Sequence, residues 1–463
     1  MNPTSLYLPC AAGVEPLLAD EVRAILLAGG AERAIESVTP GRAGVGLVGS
    51  LQTAMRLNLH SRLAQRVLWQ VASGAYRDEI DLYDIAQRVN WDDWITPEQT
   101  LRVDTTAVRS PLKSLHFASL RIKDAVCDAM RDRHGVRPSV DARHPDLSLV
   151  LHLSDTQATL SIDLSGEALF KRGWREVQGE APLKETLAAA MLAAAGWQGR
   201  EGDGVLLDPC CGAGTIAIEA AQIACGIAPG LQRGYAFERL LPFRALAVEW
   251  QQMKAAARNA IHAPRVAIHA GDVSFRMTDF ATRNAERAGV RHAIDFKTAD
   301  ALQRSAPSSA GVMLLNPPYG ERIDAKGSGA ARARDEAAAR GPDRFLDRPR
   351  FGIRAQPGDR MGTRSAAGDR MGTRADAGAR EQFEDGGSAH AFFASLASHW
   401  KRHFSGWSAW VLSPDAKLPS AMRLKESRRV PMWNGPIECR LFRFDLVAGS
   451  MREPKAVEGD GAP

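Results

Sequence analysis

Residues 205–219 read VLLDPCCGAGTIAIE: a short apolar run, an acid, a turn of small residues and the opening of an apolar helix. This is the first β-turn-α unit of a nucleotide-binding α/β sheet, where glycine lets a ligand approach the backbone and the helix N-terminus faces it. The turn departs from the dinucleotide fingerprint, because Ala217 stands where G-x-G-x-x-G requires its last glycine. Asp208 at the strand end would repel a pyrophosphate, whereas it suits a cationic ligand such as the amino group of S-adenosylmethionine. Gly212, Gly214 and Thr215 join Asp208 as candidate cofactor-binding residues.

Working outward, RVAIHAGDVS at 265–274 forms a second strand ending at Asp272, an acid placed to accept hydrogen bonds from ribose hydroxyls. The stretch 231–260 before it is expected to be helical. A third strand, AIDFKTAD at 293–300, brings Asp300 to the adenine. The fourth strand stops at Asn-Pro-Pro-Tyr within VMLLNPPYGERI, residues 312–323. Asp208, Asp272, Asp300 and Asn316 thus fall on successive strand ends, as a doubly wound sheet demands. An amine conjugated to an aromatic ring attacks poorly unless acceptors hold its N–H groups in tetrahedral geometry. Asn316 Oδ1 and the Pro317 carbonyl could be those acceptors, and two successive prolines make the loop stiff. Tyr319 offers a ring for base stacking and a π-face for the charge growing on nitrogen. The expected chemistry is methyl transfer to a flat exocyclic amine of a base swung out of its stack.

With these motifs the chain closely resembles the THUMP-containing large-subunit ribosomal RNA guanine-N2 methyltransferases. Further matching stretches are SRLAQRVL (61–68), RIKDAVCDA (121–129), LSLVLHL (147–153), DLSGEALFKRGWR (163–175), APLKETLAAAMLAAAGW (181–197), APGLQRG (228–234) and NGPIEC (434–439). The resemblance implies a class I Rossmann-like methyltransferase, a seven-stranded sheet with a terminal antiparallel hairpin, preceded by an α+β THUMP RNA-binding region. It implies S-adenosyl-L-methionine as donor and 23S rRNA, naked or in early large-subunit assembly, as partner. Cys210, Ala213 and Ser274 depart from the residues usual in relatives, which bears on cofactor fit. Some relatives continue into a second methyltransferase domain, and with the sequence ending at Pro463 none is expected here.

The net charge is only +5, so RNA binding must come from local patches. One candidate is the helix and basic connection at 121–143, with Arg121, Lys123, Arg131, Arg133 and Arg137. A second is FKRGWR, where Lys171, Arg172 and Arg175 surround Trp174, an arrangement that suits single-stranded RNA or equally packs a domain junction. A third cluster runs from Arg423 to Arg429. Six scattered cysteines without a C-x-x-C pair indicate neither zinc nor disulfides. No uninterrupted apolar run reaches membrane-spanning length and the N-terminus lacks a leader pattern, which predicts a cytoplasmic chain with no membrane partner.

The predicted organisation is an α/β lead-in (1–50), the THUMP domain (51–165), a connecting helix (166–200) and the methyltransferase domain (201–450). A Gly/Ala/Arg-rich insert at 324–388, with GDRMGTR at 358 and again at 368, and a tail at 451–463 are expected to be disordered. Separate domains imply that removing residues 1–165 leaves a unit that still binds the cofactor. Three rival readings remain open: a tRNA guanine-N2 methyltransferase, a DNA adenine-N6 methyltransferase, and a non-catalytic RNA-binding assembly factor.

Overall fold

The structure is a computed structural model and describes residues 4–175, 183–317 and 386–447, side chains in the last segment from residue 390. Tyr319, residues 324–385 of the insert and the tail lie outside the described residues, whereas the insert's last three positions, expected to be disordered, open the helix Gly386–His403.

Two sheets organise the chain. The first contains β1 (Thr4–Pro9), β2 (Thr39–Gly41), β3 (Gly44–Gly49), β4 (Leu68–Ala75), β5 (Thr100–Ala107), β6 (Ser139–Val140), β7 (Leu147–Leu153) and β8 (Gln157–Asp163), in the order β2-β3-β1-β4-β8-β7-β5-β6. Pairing of Leu6 with Trp69 and Tyr7 with Leu68 makes the lead-in and the region after it one continuous sheet. Burial alternates along β1 as in a half-covered strand, β8 is buried over most of its length, and the Leu115–His134 helix lies against β5. Ser114 caps that helix by accepting from Phe117 N, and Gly135 ends it at φ 73°.

The second sheet contains β9 (Val205–Asp208), β10 (Ile268–Asp272), β11 (Ile294–Thr298), β12 (Gly311–Leu315), β13 (Trp407–Ser413), β14 (Arg428–Asn434) and β15 (Ile437–Asp445). Their order is β11-β10-β9-β12-β13-β15-β14, with β9 to β13 parallel and β15 antiparallel to both neighbours. Short apolar runs such as VLLD and GVMLL are what a parallel sheet covered on both faces requires. The expected seven strands and terminal hairpin are present. Chain direction across the sheet reverses between β9 and β12, and such a switch point opens a crevice at the strands' carboxyl ends.

The stretch expected to be helical before β10 is broken into a 3-10 turn at Ala236–Arg239, a single α-helical turn at Leu241–Arg244 and a longer α-helix at Ala247–Asn259. The reason is its aromatics. Tyr235 stacks on Phe237 at 5.3 Å and meets Trp250 edge-on at 5.6 Å, and its hydroxyl sits 3.0 Å from the Asn58 carbonyl and 2.9 Å from that of Gly230. A Cβ on Gly230 would lie 1.9 Å from that hydroxyl, so glycine is required there. This wedge seats the catalytic sheet against the N-terminal region.

That seat has many parts. Gly230 N donates to Leu59 O at 3.0 Å, Leu241 N to Trp94 O at 3.0 Å, Arg239 Nη2 to Pro145 O at 2.8 Å and Trp433 N to Ala12 O at 3.3 Å. One apolar core runs without a break from Leu6 to Leu441. At its centre Glu219, 0% exposed, accepts from Arg172 Nε at 3.1 Å and from Arg62 Nη1 at 3.4 Å. Removing one partner of a buried ion pair costs about 3–5 kcal/mol. Deleting residues 1–165 removes Arg62 and a large part of this core, so the expectation of a separable cofactor-binding unit is replaced. The fragment starting at residue 166 is expected to be insoluble or unfolded by circular dichroism. A folded fragment with native melting behaviour would count against a single structural unit.

Candidate cofactor loop and catalytic edge

The four residues read as strand ends lie on four neighbouring strands. Asp208 ends β9, Asp272 ends β10, Asp300 follows β11 by two residues and Asn316 directly follows β12. Register aligns Ala270 with Asp208, Asp272 with Thr298 and Met313 with Leu207, so all four sit along one carboxyl edge. Asp208 and Asn316 stand on the two strands that flank the switch point.

Asp208 is fully buried. Its Oδ1 accepts from Cys210 N at 3.4 Å, while Oδ2 has no hydrogen-bond partner among the described residues. Burial pushes its carboxyl up to about 8, with the Asp272 charge adding to the rise and Arg304 opposing it. Buried polar atoms are almost always paired, so an orphaned carboxylate oxygen at a strand end is an acceptor that a ligand cation fits. The loop after it is held from several sides. Cys211 N donates to Gly271 O at 2.7 Å, Gly214 N to Cys211 O at 2.8 Å, and Gly212 N to Asp272 Oδ2 at 3.0 Å. Gly214 has φ 85°, and a Cβ there would lie 2.9 Å from the Ala281 Cβ. Both requirements select glycine.

Asp272 therefore has a structural task as well, since its Oδ1 also accepts from Ser274 N at 3.0 Å. Each carboxylate oxygen keeps a lone pair beyond these bonds. Asp300 accepts from Leu302 N at 2.9 Å and closes the turn after β11. Cys210 and Cys211 have thiols pushed well up by burial and by neighbouring acids, which keeps them unreactive. Pro317 is buried and Asn316 half-buried.

The basic residues divide. Arg172 is 2% exposed and spends its guanidinium on Glu219 and on the Leu169 and Arg62 carbonyls. Arg175 bonds Glu185 and Thr215, each at 2.7 Å, and Trp174 is fully buried. Of the two readings of FKRGWR, the structure takes the junction for these three residues. Arg172 and Arg175 are thus withdrawn as RNA contacts, because the sequence shows their charge but not the acids that bury it. Lys171 is exposed and pairs with Glu167 at 2.8 Å. On the Leu115–His134 helix, Lys123, Arg131 and Arg133 each meet an acid at 2.7 Å, and Arg121 lies 5.3 Å over Tyr83. Sequence reading missed the loop before that helix together with the helix's first turn, where Arg109, Lys113, His116 and Phe117 are all exposed, Phe117 by 48%. Its signal was an aromatic among cations beside a Ser-Pro turn.

With this geometry in hand, comparison with known proteins is direct. Models of three domains match in order: an RlmL ferredoxin-like domain at 5–68, a THUMP domain at 76–163 and an RMKL-like methyltransferase domain at 172–332. By these matches the chain carries an RMKL-like methyltransferase domain behind a THUMP domain. Among its relatives, the ribosomal RNA large subunit methyltransferase K/L of Syntrophotalea carbinolica is 35% identical over 453 residues, 96% of this chain and 54% of the relative. That of Shewanella pealeana is 32% identical over 439 residues, 93% of this chain and 52% of the relative. The chain spans about half the length of the curated relatives it matches. Two solved structures share its fold: one assigned as a methyltransferase and complexed with SAH, with TM-score 0.74 and 22% identity over 97% of this chain and 100% of that one, and a possible methylase from Clostridium difficile 630, with TM-score 0.73, 23% identity and the same coverages.

Proposed function

We propose that this chain transfers a methyl group from S-adenosylmethionine to the exocyclic N2 amine of a guanine in 23S rRNA, in the cytoplasm. The observation that carries this reading is the pairing, across one switch point, of a buried acid with an orphaned oxygen and Asn316, in a chain with a THUMP domain. S-adenosylmethionine supplies an electrophilic methyl on a sulfonium, an excellent leaving group, so the protein needs position and electrostatics more than a strong base. Asp208 would take the cofactor's ammonium, Asp272 its ribose hydroxyls and Asp300 its adenine side. Gly212 and Gly214 keep the turn open to close approach. Asn316 Oδ1 and the Pro317 carbonyl would accept from the target amine and favour its tetrahedral geometry, with Tyr319 assigned to stack on the base. RNA contact is assigned to the exposed cations Arg131, Arg133 and Lys171, with half-buried Lys123 and Arg121 beside them, and to the loop and first helical turn carrying Arg109, Lys113 and Phe117. Exposed ring and cations together suit single-stranded RNA.

The test offers labelled methyl donor with deproteinised 23S rRNA, bulk tRNA and duplex DNA separately, followed by mass analysis of nucleosides. N2-methylguanosine from the rRNA alone is the expected result. Label in tRNA, or N6-methyladenine in DNA, would move the assignment to another exocyclic amine, and no label anywhere would favour a non-catalytic assembly factor.

A further inference from the structure

Trp174 and Arg175 lie on the connection leaving the THUMP domain, and both are linked to the cofactor loop, Arg175 directly and Trp174 through Arg287 and Asn284. The Trp174 carbonyl accepts from Arg287 Nε at 2.9 Å. Arg287 Nη2 donates to Asn284 Oδ1 at 2.6 Å, and Asn284 Nδ2 donates to the Ala213 carbonyl at 3.1 Å. Asn284 is 0% exposed, and its partners fix its amide one way round: oxygen toward the guanidinium, nitrogen toward the carbonyl. On the other side of the turn, Arg175 Nη2 donates to Thr215 Oγ1 at 2.7 Å while its Nε donates to Glu185 at 2.7 Å. Its guanidinium also lies 5.0 Å over the Trp174 ring, which limits its freedom to swing. Arg175 thus holds residue 215 directly, and Trp174 is tied to residue 213 through Arg287 and Asn284, on the two sides of Gly214 with its φ of 85°. A turn that must present backbone to a ligand loses affinity when it can wander, since ordering it is then charged to binding.

We propose that Arg175, and Arg287 acting through Asn284, are positioning residues that hold the 212–215 turn in its ligand-ready shape, so that the linker from the RNA-recognition half sets cofactor affinity. This rests on the cofactor reading above, and goes beyond it by giving the linker a role in that site. Neither residue is a catalytic residue; each acts through the turn.

The test is calorimetric titration of the full chain with S-adenosylhomocysteine, alongside binding of deproteinised 23S rRNA. Asn284→Asp is isosteric and keeps the acceptor for Arg287, but it replaces the donor to Ala213 by a carboxylate oxygen that faces that carbonyl. Arg287→Gln breaks the same relay at a half-exposed position and decides the matter if the buried variant does not fold. Each is expected to weaken S-adenosylhomocysteine binding about tenfold, the weight of one buried hydrogen bond, with rRNA affinity within about twofold of the parent. A merely structural role would lower the melting temperature and leave the ligand affinity of the folded chain as it was, which would overturn the proposal. If the parent chain does not bind S-adenosylhomocysteine, the cofactor reading fails first and this inference with it.

Discussion

Replacing Asp208 by asparagine is expected to raise the melting temperature of the ligand-free chain at neutral pH while weakening S-adenosylmethionine binding by at least about a hundredfold. The two effects have one cause. The carboxyl is fully buried, one oxygen has no partner among the described residues, and the Arg304 guanidinium opposing it already donates Nη1 to Ala270 O at 3.2 Å. Its folded-state value of about 8 stands far above the usual 3.8. For an acid shifted upward, the associated stability is fully present below the unfolded value and is lost as pH rises through the folded one. The ligand-free parent should therefore lose stability between about pH 4 and pH 8, by on the order of a few kcal/mol, and the Asp208→Asn substitution would remove that loss. The stability gap between variant and parent should be absent near pH 4, grow toward pH 8 and then stay level. A ligand ammonium at Oδ2 would favour the ionised form, so binding near neutral pH should release close to one proton from the parent and none from the variant. Calorimetry in buffers of different ionisation enthalpy reads this directly. Equal proton release in both, or unchanged affinity in the variant, would remove Asp208 from the cofactor site.

How much of this was legible in the sequence depends on whether a residue's neighbours were local. The sheet could be read because a parallel strand declares itself as an apolar run ending in a polar residue, and VLLD and GVMLL each carry that signal alone. The loop glycines were legible for the same reason. Arg172 was not, because its partner Glu219 lies 47 residues away. A trace existed: Glu219 sits in the apolar helix TIAIEAAQIA, and a buried carboxylate there calls for a cation from elsewhere. Asn284 left no such trace in FRMTDFATRNAER, where it reads as one more polar residue until the fold brings the Ala213 carbonyl to it from 71 positions away. The unity of the core was hidden too. Composition shows domains but not the area shared between them, and here Tyr235, Arg62 and Trp433 each bond across it.

Asn316→Ala is expected to lower methyl transfer by at least about a hundredfold while S-adenosylmethionine affinity stays within a few-fold of the parent. The separation follows from the sheet. β12 pairs with β9 through Gly311, Val312 and Met313, opposite Val205, Leu206 and Leu207, and on its far side with β13. Asn316 thus rises from the strand next to the one that ends in the cofactor acid, close enough to share a crevice yet on a different strand from Asp208, and two strands from Asp272. A carboxamide there would act only when the amine becomes tetrahedral, so its loss should appear in turnover more than in ground-state binding. The Pro317 carbonyl is untouched by the substitution, and its retained bond should leave a measurable residual rate. Asn316→Asp, which keeps an acceptor of the same length, should fall between parent and alanine variant. Single-turnover transfer on 23S rRNA with parallel calorimetry separates the terms. Loss of S-adenosylmethionine binding in the alanine variant, or an unchanged single-turnover rate, would mean that Asn316 does not hold the amine.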